Sequence, residues 1–244
     1  MKVALTIAAK AMDMSMEKMN VISNNLANVN TVGFKKDNTY INSFQNQLAS
    51  NMGTLQHPEV PKAISLYTDF KQGNFRFTGD KFNMALDGDG FIKVKMANGE
   101  DAYTRKGTFT LNKNKELMLG NSTVMGSNGI IRLKDTDISI DGSGKIYDNT
   151  GAYVDTLKIV NFEKPYPFTK VGSTLFVADS SAKEVPATAE CKQQYIEESN
   201  VDALSSMIEM ITMMESMRNY ETQQKVVQIQ DESTGKMISQ IGQV

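Results

Sequence analysis

LTIAAKAMDMSMEKMNVISNNLANVNTVGF, residues 5–34, is the stretch on which the reading of the whole chain turns. Taking every third and fourth residue gives Leu5, Ala8, Met12, Ser15, Met19, Ile22, Leu26 and Val29, a heptad seam broken only by Ser15. A second line through Ala9, Met16 and Ser23 widens the stripe, as in a helix that packs against more than one neighbour. The pattern stops after Asn28. Asn30-Thr31-Val32-Gly33 then reads as a turn with Gly33 free to take positive φ, and Phe34 follows as an apolar anchor. Asn24, Asn25, Asn28 and Asn30 crowd the helix end at a cost in helix propensity. Two readings stay open for them: caps on a fraying terminus, or amides that hydrogen-bond to a neighbouring subunit once water is excluded.

One other stretch has this character, at the far end. Ser199 with Asp202 three residues on forms a capping box, so a helix is expected from near Asn200. Leu204, Met207, Ile208, Ile211, Met214 and Met217 make its stripe, which drifts through Tyr220 toward Val227. Neither helix can bury its stripe against the polar middle of the chain. The economical expectation is an α+β fold in which the chain's own ends pair as a helical coiled coil.

The totals bound the remaining choices. With 244 residues and 27.0 kDa there is enough chain for a substantial core. A formal charge of -2 and a pI of about 5.6 give no basic field for nucleic acid, and no nucleic-acid-binding motif occurs. The apolar run Val3–Ala9 between Lys2 and Lys10 is too short for a secretory core, and the heptads pass straight through it, so it reads as mature protein without a cleaved signal. No segment approaches the roughly 20 apolar residues that span a bilayer. The chain carries 16 Met, concentrated toward the two ends, and Met packs without demanding one geometry. Such residues suit interfaces between slightly different neighbours, though ordinary core positions use them too.

Between the ends, residues 35–81 read as an extended arm. Tyr40, Ile41, Phe44 and Leu48 lead to Pro58 and Pro61, which break any helix. Thr68–Thr78, with Phe70, Phe75 and Phe77 around Gly73, reads as strand, turn and strand. From residue 82 to 185 the pattern becomes short apolar runs: 82–86, 91–96, 108–111, 117–119, 130–133, 138–140, 145–147, 157–162 and 175–178. Asp87-Gly-Asp-Gly, Asn98-Gly, Asn128-Gly, Asp141-Gly-Ser-Gly and Asn149-Thr-Gly separate them with turn chemistry. An all-β domain is therefore expected as an insertion, with Pro165 and Pro167 marking a loop around Tyr166. Residues 186–198 read as a return linker and 199–244 as the last helix.

Candidate chemistry is sparse. The loops at Asp87 and Asp141 lack the fifth-position oxygen and twelfth-position Glu of a calcium hand, having Phe91 or Lys145 and Asn98 or Ala152 there. His57 and Cys191 are each single and far apart, which offers neither a metal set nor a nucleophile pair. No phosphate loop, dinucleotide fingerprint or nucleophile elbow occurs. Paired acids such as Asp135 and Asp137, or Glu197 and Glu198, lie in polar runs and read as solvated or capping charges. Nothing asks for an enzyme, a cofactor or a metal.

SNNLANVNTVGFKK (residues 23–36) resembles the N-terminal signature of the flagellar basal-body rod and hook family of axial proteins. ESNVD at 198–202, followed by Met207, Ile211, Met214, Arg218, Tyr220 and Glu221, resembles the signature that opens the family's last helix. LDGDGFIKVKMANGEDAYTRKGTFTL (86–111) is similar to its β-domain opening, with a GxGF strand and a YTRxGxF hairpin. The resemblance implies a rod subunit, exported by the flagellar type III apparatus and assembled with its own copies and other rod proteins into a helical tube. That tube would cross the periplasm, transmit torque and enclose the export channel. The length and short arm look more like the proximal-rod (FlgF) type than the distal-rod (FlgG) type, and hook protein is usually much longer. The implied assembly interface comprises Leu5, Met12, Met19, Ile22, Asn24, Asn25, Leu26, Asn28, Thr31, Gly33 and Phe34 from one end. From the other it takes Ser199, Asn200, Val201, Leu204, Ile208, Ile211, Met214, Met217 and Tyr220.

Ordering about 30 residues costs on the order of 1 kcal/mol each, and burial returns roughly 25 cal/mol per Å². One partner helix offers too little contact for that, so both ends are expected to order on assembly. A different class of reading is a β-domain module that dimerises through its ends and captures a glycan or peptide on the sheet; such a module would stop at a defined oligomer.

Overall fold

The computed structural model describes residues 2–41, 64–201 and 203–241. Phe44, Leu48, His57, Pro58 and Pro61 of the expected arm lie outside the described residues, as does the side chain of Leu5. The first helix, α1 (Lys2–Ala27), ends where the heptads stop, and the last, α2, covers Ala203–Ile241. Between them run β1 (Asp37–Ile41), β2 (Ile64–Thr68), β3 (Phe75–Phe77), β4 (Met84–Asp87), β5 (Phe91–Lys95), β6 (Asp101–Thr104), β7 (Thr110–Leu111), β8 (Leu117–Leu119) and β9 (Ser122–Gly126). There follow β10 (Gly129–Ile130), β11 (Ile138–Ile140), β12 (Lys145–Asp148), β13 (Tyr153–Thr156), β14 (Ile159–Asn161), β15 (Phe168–Val171), β16 (Leu175–Ala178), β17 (Val185–Pro186), β18 (Glu190–Gln193) and β19 (Tyr195–Glu197). The fold is α+β, and these strands pair antiparallel among the described residues.

The chain forms two compact units: Met1–Ala27 with Asp37–Asp69 and Asp202–Val244, and Asn28–Lys36 with Phe70–Val201. The first, helical, unit has α1 and α2 lying against each other and carries the β1–β2 pair, in register from Asp37 opposite Thr68 to Ile41 opposite Ile64. Asn25 joins helix to strand pair, its Nδ2 donating to Asp37 O (2.8 Å) and its Oδ1 accepting from Asp37 N (3.0 Å). At 2% exposure, this amide is spent within its own chain. Along α2 a covered line runs through Ser206, Glu209, Met213, Ser216, Tyr220, Gln223 and Val227, recurring at three- and four-residue steps. From Leu204 to Met217 the expected stripe instead points away from that line, and only its drift through Tyr220 to Val227 joins it. Leu204 is 68% exposed and Ile211 54%, with Met207, Ile208, Met214 and Met217 also open. The most deeply covered residues on this line, Ser206 and Ser216, are small, and the larger apolar side chains stand outside it.

In the second, β-rich, unit the main sheet runs β15-β16-β6-β5-β9-β8-β7, with β10 on β9 and β14 joining β5 to β17. A three-stranded sheet β11-β12-β13 and the pairs β4–β18 and β3–β19 complete it. Its core gathers Met84, Leu86, Ile92, Val94, Phe109, Leu117, Val124, Ile131 and Ile146, with Met84 and Leu86 on β4 and Ile92 and Val94 on β5 at every second position. Two expectations are corrected. The segment 186–198 is not a bare linker, because β18 and β19 lie in it and pair with β4 and β3. Thr68–Thr78 does not fold on itself either, since β3 takes β19 as its partner. The turns at Asp141 and Asp148 use their carboxylates on the backbone, each accepting from N–H groups two and four residues on. Those oxygens therefore make turns rather than await an ion.

Phe91, Tyr103, Phe162, Phe168 and Phe176, with Phe70 and Tyr166 against them, build a second cluster of largely edge-to-face rings. Glu184 closes one side of it, accepting from Tyr103 OH and Lys93 Nζ, both at 2.7 Å. Burial pushes the Glu184 carboxyl up, but the bonds from Lys93 and Tyr103 outweigh it and hold it below its ordinary value. A depressed carboxyl stabilises the fold above its unfolded pKa, and that contribution is lost as pH falls through the folded one. Glu184→Gln should therefore lower the urea midpoint more at pH 7 than at pH 3. An equal deficit at both values would refute this assignment.

Cys191 sits on β18 inside the main core, 5% exposed. Burial, helped by Asp141 and Glu190, pushes its thiol up to about 12. Iodoacetamide at pH 8 should label the folded chain roughly a thousandfold more slowly than a free thiol, because so little thiolate is present. Rapid labelling of folded protein would contradict the burial.

Candidate functional site

Three stretches far apart in sequence, Gly33–Lys36, Arg105–Gly107 and Glu197–Val201, converge in the β-rich unit on one buried carboxylate, Glu197. Lys35 Nζ lies 2.5 Å from Glu197 Oε1, and both side chains are fully buried. The same ammonium donates to Lys71 O at 2.6 Å. Glu197 Oε1 also accepts from Gly73 N at 3.0 Å, while Arg105 Nη1 reaches Oε2 at 3.4 Å. Arg105 further binds the carbonyls of Leu86 and Gly88 and lies over the Phe91 ring. A carboxylate taken from water needs this much compensation, since each buried ion costs several kcal/mol to desolvate.

The backbone around Glu197 is tied as closely. Gly33 N donates to Glu197 O (2.8 Å), Lys36 N to Asn200 Oδ1 (2.8 Å) and Glu198 N to Asn74 O (2.8 Å). Gly33 takes φ +70, and a Cβ there would stand 2.5 Å from Lys106 N, so both its conformation and its neighbour require glycine. Gly73 is constrained by space alone, with Glu198 O 2.1 Å from where a Cβ would be. Phe34 is fully buried, with Lys170 Nζ 4.1 Å over its ring and donating to Lys35 O. The Asn28–Lys36 excursion is thereby clamped into the β-rich unit by side chains from residues 70–201. No group of His, Cys, Asp and Glu suited to a metal occurs among the described residues.

Family models fall on the same places. The flagella basal body rod protein model matches residues 5–35, the flagellar hook protein FlgE/F/G D1 domain 85–148, and the flagellar basal body rod FlgEFG protein C-terminal model 192–241. A flagellar basal-body rod protein FlgG of Caulobacter vibrioides is 30% identical across 94% of this chain and 95% of its own length. The chain belongs to the flagellar basal-body rod protein family. It is also similar to a rod protein FlgG of Agrobacterium fabrum (31% identical, 94% of this chain and 95% of that one). A FlgF of Buchnera aphidicola subsp. Schizaphis graminum matches at 25%, over 90% of each chain. Relatives thus carry both names. The protein is a structural axial subunit of the basal-body rod, located in the flagellar basal body and assembled with other rod components; its function as a building unit rather than an enzyme follows from that family.

Placed on this rod subunit, the residues marked from sequence fall into two groups. Ile22, Asn25, Gly33, Phe34, Ser199 and Val201 are buried in their own chain, and Met12, Met19, Leu26, Asn28, Thr31, Asn200 and Tyr220 are half-buried. Asn24, Leu204, Ile208, Ile211, Met214 and Met217 are exposed. The helix α2 begins at Ala203, and Ser199 Oγ accepts from Val201 N just before it. Sequence reading missed Lys35, Arg105 and Glu197 as a set. Lys35 and Arg105 each lie inside a signature stretch and Glu197 stands one residue before one; Glu197, expected as a solvated or capping charge, is instead fully buried.

Proposed function

We propose that the outward apolar face of α2, Leu204 to Met217, is the main polymerising surface of the subunit, and that further copies of this chain and other rod proteins cover it. The observation that supports this is the face itself: seven large apolar side chains stand open on one side of the helix, roughly opposite the line that meets α1. A contact of this kind between successive copies is heterologous and, where it does not close a ring, generates an open helical tube. Both end helices take their final order on assembly, pairing as a coiled coil in the tube's inner layer. The exposed members of the sequence-marked set, with half-buried Met12, Met19 and Leu26, meet neighbours. The buried members, Gly33, Phe34 and Val201, shape the subunit instead. The tube crosses the periplasm, and its subunits reach it through the flagellar type III export apparatus. Its rod position is of the proximal type.

Hydrogen exchange of the free chain and of the assembled rod tests the surface. Protection of Leu204–Met217 that rises on assembly supports it, and equal exchange in both states overturns it. Complementation of strains lacking either the proximal or the distal rod protein tests the position, and rescue of the distal strain alone would reverse it.

A further inference from the structure

The geometry points to Met207, Met210, Met214 and Met217 as an oxidisable site through which peroxide controls whether the subunit can assemble. Among the described residues five methionines are open to solvent, and four of them are these, on the outward side of α2. The fifth is Met16. Met84 is fully buried, and Met96, Met118 and Met125 of the β-rich unit are partly covered. Oxidation of a thioether needs neither a lowered pKa nor a base, so access to sulfur sets the order of reaction. A sulfur lone pair attacks one peroxide oxygen, the O–O bond breaks, and water leaves with the other oxygen. Sulfur is oxidised by two electrons and hydrogen peroxide is reduced by two. The product sulfoxide is a strong hydrogen-bond acceptor where an apolar, adaptable side chain had been. Four such changes on one side of α2 turn an apolar face into a polar one, while the line facing α1 holds only half-covered Met213. The inference rests on the reading of this face as the polymerising surface.

Peroxide treatment of the full chain, followed by peptide mass mapping and an assembly assay, tests it. The four methionines should oxidise well ahead of Met84 in the free chain and at least about tenfold more slowly in the assembled rod. Pre-oxidised chain should assemble at least about tenfold less, and recover after treatment with methionine sulfoxide reductases. A variant with all four changed to Leu should assemble equally with and without peroxide. If the four oxidise as fast in the rod as in the free chain, the face is not covered and the polymerising surface itself is wrong. If they are protected in the rod, yet oxidised chain assembles like untreated chain, the peroxide site alone is overturned.

Discussion

Glu197→Ala is expected to destabilise the β-rich unit by about 3–5 kcal/mol, which for a unit of this size lowers its thermal midpoint by roughly 10 °C. The loss comes less from the missing bonds than from what stays behind. Lys35, fully buried, would lose the carboxylate it lies against, and Arg105 would lose its anionic partner. Gly73 N would lose its acceptor as well. Glu197→Gln keeps the shape and an acceptor, so it should cost less. In a double-mutant cycle with Lys35→Met the two changes should be strongly non-additive, because removing the cation removes most of the reason for the anion. A drop below about 1 kcal/mol for the alanine variant would mean that the converging stretches are held by packing alone.

Ile211→Asp carries the second large effect, on assembly rather than on folding. At 54% exposure the side chain contributes little to the free subunit, so unfolding should stay within about 0.5 kcal/mol of the parent. At a dry contact between copies the same carboxylate would be buried without a partner, a cost of several kcal/mol repeated at every subunit. Since each 1.4 kcal/mol is about tenfold in an equilibrium, incorporation into the rod and motility should be lost. Ile211→Val should retain both. Normal swimming by the aspartate variant would remove this side chain from the polymerising surface.

Local chemistry made part of the architecture legible. The end of α1, the left-handed Gly33, and strands at 117–119, 138–140 and 175–178 all follow from periodicity and turn residues. What escaped was non-local. β18 and β19 read as linker because Glu190–Glu197 is mostly polar, and only Cys191 and Ile196 hint at the alternation that their pairing with β4 and β3 completes. The stripe of α2 was visible, but periodicity reports that a face is apolar, not what covers it. Ser206 and Ser216, which look like interruptions of an apolar pattern, mark the line that α1 meets. Asn25 offered two readings, and the structure gives it to its own Asp37. No rule of spacing could bring Lys35, Arg105 and Glu197 together, since sequence distances of 92 and 162 residues separate the two cations from the anion.

The pairing of β1 with β2 bears on how this lineage can change its size. Five consecutive cross-strand partners, from Asp37–Thr68 to Ile41–Ile64, bring the two ends of the intervening stretch together. With those ends already joined, doubling the length of chain between them adds only about 0.6 kcal/mol of closure entropy. A change of length there leaves the five cross-strand partners of β1 and β2 themselves unaltered. The β1–β2 pair thus lets the chain between its strands change length at small entropic cost while the paired ends stay the same.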